Sequence, residues 1–135
     1  MLTITRNFDI LHMKNREFVK FIRDRAKARY VKDSECYLCG TNESLELHHI
    51  YSISRLFRKW LTDNNITVNT VDDILDVRDA FIEQHEKELY KDVLTLCKKH
   101  HKQLHDLYTQ DPPLTTAEKQ LRWANRVRDR LRTSS

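Results

Sequence analysis

Leu96-Cys97-Lys98-Lys99-His100-His101-Lys102-Gln103-Leu104-His105 places one cysteine and three histidines in a short run, and their spacing decides the fold. Cys97 and His100 are separated by two residues, the gap of a metal-binding knuckle. His101 and His105 are four apart, so on a helix they project from one face, one turn apart, as a two-armed grip on a metal. Successive helical residues point about 100° apart, so His100 and His101 serve different sites. His100 has no partner one turn on, because residue 104 is leucine.

Working upstream, Cys36-Tyr37-Leu38-Cys39-Gly40 supplies a second knuckle with the same two-residue gap. Gly40 is the only glycine in the chain, and it stands where a tight turn often needs positive φ. Zinc favours four tetrahedral ligands drawn from two short turns. Cys36, Cys39, Cys97 and His100 meet that requirement and use all three cysteines. A small core stapled by structural Zn2+ suits a chain of this length.

Leu45 to Ile50 alternates as a short strand, with Leu45, Leu47 and His49 on one face and Glu46, His48 and Ile50 on the other. His48 and His49 therefore face opposite ways. One of them completes a site with His101 and His105, and the other is left to act as a base. Three protein ligands leave positions open for water and substrate, as a catalytic metal requires. The plainer alternative is a single zinc with surface histidines, which leaves the His-His pair and the His-xxx-His pair to chance. His12 and His85 have no ligand partner nearby in sequence and are set aside.

The rest of the chain reads as helix. Over residues 14–32, Phe18, Val19, Ile22, Ala26 and Tyr30 recur at helical spacing, with Arg16, Lys20, Arg23 and Lys27 as a cationic stripe on another face. Ser52 or Ser54 caps a helix carrying Leu56, Phe57, Trp60 and Leu61. Thr70-Val71-Asp72-Asp73 is a capping box opening a helix with Ile74, Val77, Phe81 and Ile82 that reaches toward Tyr90. Val93–Leu96 is a strand, and a helix follows over about Lys99–Tyr108. Asp111-Pro112-Pro113 ends it. Thr115–Glu118 is a further capping box, starting a helix with Leu121, Ala124, Val127 and Leu131 inward and Arg122, Arg126 and Arg130 outward. The fold class expected is α+β, mostly helical, in the order α–β–αα–β–α–α.

At 135 residues the chain reads as a single domain, 1–135. It divides into a basic N-terminal helix over 1–33, a zinc-stapled core over 34–110 with a helical insertion at 51–91, and a basic C-terminal helix over 114–135. No apolar run approaches the ~20 residues of a membrane span, and the N-terminus lacks the pattern of a secretory signal. An intracellular protein without a membrane partner is expected. Residues 1–33 hold nine Lys/Arg against four Asp/Glu, and residues 114–135 hold six against two. Residues 51–91 run the other way, six against eight. Basic ends flanking the metal clusters suit a polyanion, although charged helices are equally often just solvated.

The knuckle, the His-His pair closing the first strand, the second knuckle and the helix bearing His-xxx-His together resemble the HNH endonuclease family. The match covers Cys36–Ile50 and Asp92–His105. The resemblance implies a ββα-metal core with zinc knuckles, flanked by N-terminal, inserted and C-terminal helices. It implies a metal-dependent endonuclease hydrolysing phosphodiesters of double-stranded DNA. His48, His101 and His105 then look like ligands of a catalytic divalent ion (Mg2+, Mn2+, Ni2+ or Zn2+), and His49 like the general base. Asp92 stands where the family carries asparagine. An ionised aspartate only accepts hydrogen bonds, so it either orients His49 or pins the loop. His100 stands where a fourth knuckle cysteine is usual, which keeps the zinc chemistry.

The segments LELHHIYS and LTLCKKHHKQLHDLY look most like phage-encoded nucleases of the homing type, which would work in a host bacterial cytoplasm. Arg16, Lys20, Arg23, Lys27, Arg122 and Arg126 are the expected DNA contacts. The alternatives are a non-catalytic zinc-containing DNA-binding module, or an HNH nuclease serving restriction, branched-DNA resolution or packaging. Oligomeric state is not readable from the sequence.

Overall fold

Two short runs of alternating apolar residues pair as the only sheet among the described residues. β1 (Leu45–His49) and β2 (Val93–Cys97) are antiparallel, with Leu45 opposite Cys97, His48 opposite Leu94 and His49 opposite Val93. The computed structural model describes residues 15–133, with the backbone alone for Asn15 and Arg16. The architecture is α+β and mostly helical. The helices are α1 (Asn15–Phe18), α2 (Lys20–Ala26), α3 (Ile53–Asp63), α4 (Val71–Gln84), α5 (Glu86–Tyr90), α6 (Lys98–Tyr108) and α7 (Ala117–Thr133). None of the described helices is long and apolar enough to cross a membrane. His12 lies outside the described residues.

The chain forms two compact units. One takes the residues up to Tyr30 together with Ile53–Glu86, and the other takes Val31–Ser52 together with Lys87 onward. In the first, Phe18, Val19, Ile22, Ala26, Phe57, Trp60, Ile74, Phe81 and Ile82 are buried. The Phe57 ring meets Phe18 at 5.4 Å and Phe81 at 5.1 Å between centroids. The single N-terminal helix expected over 14–32 is broken at Val19, whose φ of −99° and ψ of 4° leave the helical well, and it ends in a 3-10 turn at Lys27–Arg29. The Thr70 capping box forms: the Thr70 hydroxyl accepts from Asp73 N at 3.2 Å, and Asp73 accepts from Thr70 N at 3.1 Å. His85 ends α4, stacked on Phe81 at 4.3 Å and bonded to the Phe81 carbonyl at 2.8 Å. It is a structural histidine.

In the second unit, β1 and β2 pack with α6 and α7 around Cys36, Leu38, Ile50, Leu94, Leu96, Leu104, Ala117, Ala124 and Val127. Here two expectations fail. The capping box at Thr115–Glu118 is replaced by a 3-10 turn at Leu114–Thr116, in which the Thr116 hydroxyl donates to the Pro113 carbonyl at 2.6 Å. α7 is also rotated from its expected face. Ala117, Gln120, Ala124 and Val127 are buried, while Leu121 and Leu131 are 37% and 38% exposed. Both readings share Ala124 and Val127 and both obey helical spacing. The structure takes the one that puts a glutamine inside.

Candidate metal centres

The knuckle at Cys36–Gly40 is built by backbone bonds before any metal is considered. Cys36 N donates to Thr41 O at 2.8 Å, Gly40 N donates to Cys36 O at 3.0 Å, and Tyr37 N ties the turn to Thr95 O of β2 at 2.8 Å. Gly40 has the expected positive φ, 77°. β2 then delivers Cys97, and the first turn of α6 delivers His100. Cys36, Cys39, Cys97 and His100 form a group able to hold a metal ion, with their ligand atoms all within 4.8 Å of one another. Cys39 Sγ lies 4.0 Å from Cys97 Sγ, and Cys97 Sγ lies 3.2 Å from His100 Nδ1. Tetrahedral zinc with its usual bond lengths needs sulfurs about 3.8 Å apart, so the residues present fit the ion.

Burial works to raise the Cys36 thiol. Hydrogen bonds from the amides of Cys39, Cys97 and Leu38 outweigh it and hold Cys36 below the ordinary thiol value. Burial pushes Cys97 up, with the Cys36 thiol adding to the rise. Arg132, near the end of α7, closes the outside of the turn. Its guanidinium donates to the carbonyls of Cys36 (3.2 Å), Tyr37 (3.3 Å) and Leu38 (3.3 Å) and to Glu35 (3.3 Å).

The second group is His48, His101 and His105. β1 sends His48 inward, where it is 2% exposed, and α6 presents His101 and His105 from one face. His48 Nδ1 lies 3.2 Å from His101 Nε2, which lies 3.0 Å from His105 Nε2. The outer nitrogen of each ring meets an atom that can only accept. His48 Nε2–H donates to Gln120 Oε1 at 2.8 Å, His101 Nδ1–H to Glu46 Oε1 at 2.8 Å, and His105 Nδ1–H to Thr109 O at 2.9 Å. Each neutral ring has one N–H, so all three lone pairs point at one spot. Nitrogens bonded to one ion at about 2.0–2.1 Å stand about 3 Å apart, as these do. The set fits a divalent cation, and His101 and His105 are only half-buried, so the cluster opens toward solvent on their side.

Burial, joined by the neighbouring histidines, lowers His48 to about 3 despite the Gln120 bond. Burial lowers His101 as well, with Glu46 opposing it. Both rings are therefore neutral and available as ligands around pH 7. Thr109 is held at φ 76°, a conformation a β-branched residue rarely adopts, and its carbonyl faces His105. Such backbone costs about 1–3 kcal/mol and gathers at functional sites.

His49 points from the opposite face of β1, its Nε2–H donating to the Leu89 carbonyl of α5 at 2.9 Å. The Asp92 carboxylate binds Lys87 Nζ through both oxygens, at 3.0 and 2.9 Å, and the Asp92 carbonyl accepts from Ile50 N at 3.2 Å. Of the expected DNA contacts, Lys20 and Lys27 are exposed and Arg23 is half-buried in the first unit, and Arg122 and Arg126 are exposed on α7 in the second. The Arg16 side chain lies outside the described residues.

Sequence reasoning missed Glu46, Gln120, Thr109 and Arg132. Only Glu46 left a signal, since strand alternation already put it on the His48 face.

The sequence model of the nicking endonuclease family, phage T5 type, matches residues 11–133. No solved structure matches the chain significantly.

Proposed function

The chain belongs to the nicking endonuclease family and is a DNA endonuclease; from that premise we propose that it is a metal-dependent nuclease of the HNH type, cutting one strand of duplex DNA by hydrolysis. The observation that carries the reading is the convergence of three imidazole lone pairs, 3.0–3.2 Å apart along His48–His101–His105, with every outer nitrogen already engaged. Histidines scattered on a surface have no reason to arrange themselves so.

His49 is the proposed general base. Its Nε2–H is taken by the Leu89 carbonyl, so the neutral ring carries its lone pair on Nδ1. Nδ1 takes the proton from the water that attacks phosphorus, and the carbonyl steadies the imidazolium that forms. His48, His101 and His105 would hold a divalent cation, which would supply electrostatic stabilisation to the phosphate and to the departing oxygen. An all-imidazole set favours Ni2+ or Zn2+ over Mg2+, which prefers oxygen ligands. By the HNH resemblance the ends left are a 5′-phosphate and a 3′-hydroxyl.

Asp92 fits the loop-pinning role: it binds Lys87 by its side chain and the end of β1 by its carbonyl. In the ββα-metal reading, β1, β2 and α6 form the core and the knuckle staples it with zinc. Arg16, Lys20, Arg23, Lys27, Arg122 and Arg126 are proposed to hold backbone phosphates, which makes binding fall steeply with salt. A homing role rests on the strand-flanking segments alone, and mapping cut sites on several DNA forms separates it from restriction, resolution or packaging.

The test is conversion of supercoiled plasmid to open circle with Mg2+, Mn2+, Ni2+ or Zn2+, against a chelator control. His49→Ala is expected to lower the nicking rate by at least ~10²-fold while circular dichroism and DNA binding stay unchanged. Undiminished nicking by that variant removes His49 from the base role. DNA binding with no nicking under any metal would favour the zinc module that only binds.

A further inference from the structure

Gln120 is fully buried, at 0% exposure, in the middle of an apolar helix face. A buried amide is costly unless each of its groups is bonded, and here all are. Its Nε2 donates to the Ile50 carbonyl at 3.2 Å and to the Thr116 hydroxyl at 2.9 Å. The Thr116 proton is already committed to the Pro113 carbonyl at 2.6 Å, so this hydroxyl receives the amide proton through a lone pair. Ile50 O can only accept. Turning the amide over would set Gln120 Oε1 against Ile50 O, acceptor against acceptor. The amide therefore has one orientation, with Oε1 facing His48 Nε2 at 2.8 Å.

The direction of every bond in this chain is then fixed, from the Pro113 carbonyl through Thr116 and Gln120 to His48. We propose that Gln120 is a positioning residue that dictates the tautomer of His48, holding the proton on Nε2 so that the Nδ1 lone pair faces His101 and His105. The inference rests on the reading that these three histidines hold a divalent ion. A histidine alone in water populates both tautomers, and with the proton on Nδ1 it would aim an N–H at the ion. Partners of this kind behind a ligand typically change metal affinity by about 10–100-fold when lost. The start of α7 thus sets the chemistry of a strand residue 72 positions earlier in the chain.

Ring-15N-labelled protein carrying one zinc per chain, in the knuckle, reads the tautomer directly through two-bond 1H–15N correlations. His48 is expected protonated at Nε2 in the unaltered protein. A His48 protonated at Nδ1 overturns the proposal without any variant. Gln120→Met keeps size and removes both polar ends. It is expected to bind Ni2+ 10–100-fold more weakly at the trihistidine site by calorimetry, and to lose the fixed Nε2–H signal, with knuckle zinc retained. Thr116→Val frees one amide hydrogen but leaves Ile50 O to hold the orientation, so it should keep the tautomer and lose affinity by less. Should Gln120→Met fail to fold, the unaltered spectrum and Thr116→Val still decide. Equal Ni2+ affinity in folded Gln120→Met sinks the positioning role alone. Absence of any second metal in the unaltered protein sinks the metal reading beneath it.

Discussion

The two candidate metal groups share helix α6 but draw on different strands, Cys97 from β2 and His48 from β1, and they are built on opposite plans. At the knuckle, backbone amides shape the turn, the donors are mostly sulfur, and four of them are enough to enclose zinc. At the trihistidine cluster, side chains and one strained carbonyl hold the rings from behind, and only three donors face the centre. A closed set serves folding, and an open set serves chemistry. The contrast teaches that an incomplete ligand set needs more support from the protein, because no saturating ion organises it.

The widest separation between the clusters should appear on losing one ligand from each. Cys36→Ala removes a buried member of the group proposed to hold zinc, and zinc binding and folding are linked. It is expected to abolish cooperative unfolding of the second unit, since net stabilities are only about 5–15 kcal/mol. His101→Ala is expected to keep zinc and melting behaviour while losing the second metal and the nicking. Metal content by atomic emission beside calorimetric melting checks both, and equal losses of stability would erase the distinction.

Acid should act on the trihistidine side. His48 sits at about 3 in the fold against 6.5 unfolded, so the unfolded chain takes the proton first. Its contribution is complete above pH 6.5 and is lost as the pH falls toward 3, on the order of 5 kcal/mol in all. Denaturant titrations across that range should show the slope, and His48→Gln should flatten it. A fold equally stable at pH 4 and pH 7 contradicts the burial of this ring.

A smaller effect is expected at Glu46. Glu46→Gln removes the carboxylate behind His101 but leaves an acceptor, and should weaken metal binding by about 10-fold, at the low end of what such partners contribute. Knuckle zinc should not change. The smallest effect is expected at Thr109. Thr109→Gly relieves the positive φ and should raise stability by about 1 kcal/mol, with metal affinity slightly lower as the carbonyl behind His105 loosens. A loss of stability there would mean that the backbone carries no strain.

Much of this contrast was legible in the residue order. Cysteine and histidine spacing gave the knuckle group and the His101–His105 pair, alternation put His48 and His49 on opposite faces, and Gly40 marked the turn, but only the family resemblance chose His48 over His49 as the third member. What stayed hidden were the supports. Gln120 and Leu121 are adjacent, and helical spacing admits either as the inward residue. Hydrophobicity chooses leucine, whereas the buried Nε2–H of His48 requires an acceptor, which the glutamine supplies. Arg132 resembles its solvated neighbours Arg126 and Arg130, and only the folded turn shows carbonyls aimed at it. The break at Val19 has no proline or glycine to announce it.

Arg132 follows Cys36 by 96 positions, and that interval has a consequence for synthesis. On the ribosome Cys36 and Cys39 emerge well before Cys97 and His100, and the guanidinium that clasps the turn emerges later still. A nascent chain therefore carries Cys36 and Cys39 before the other two members of their group exist. The glutamine behind His48 also follows all three histidines, so their cluster gains this rear support only after every ring has been made.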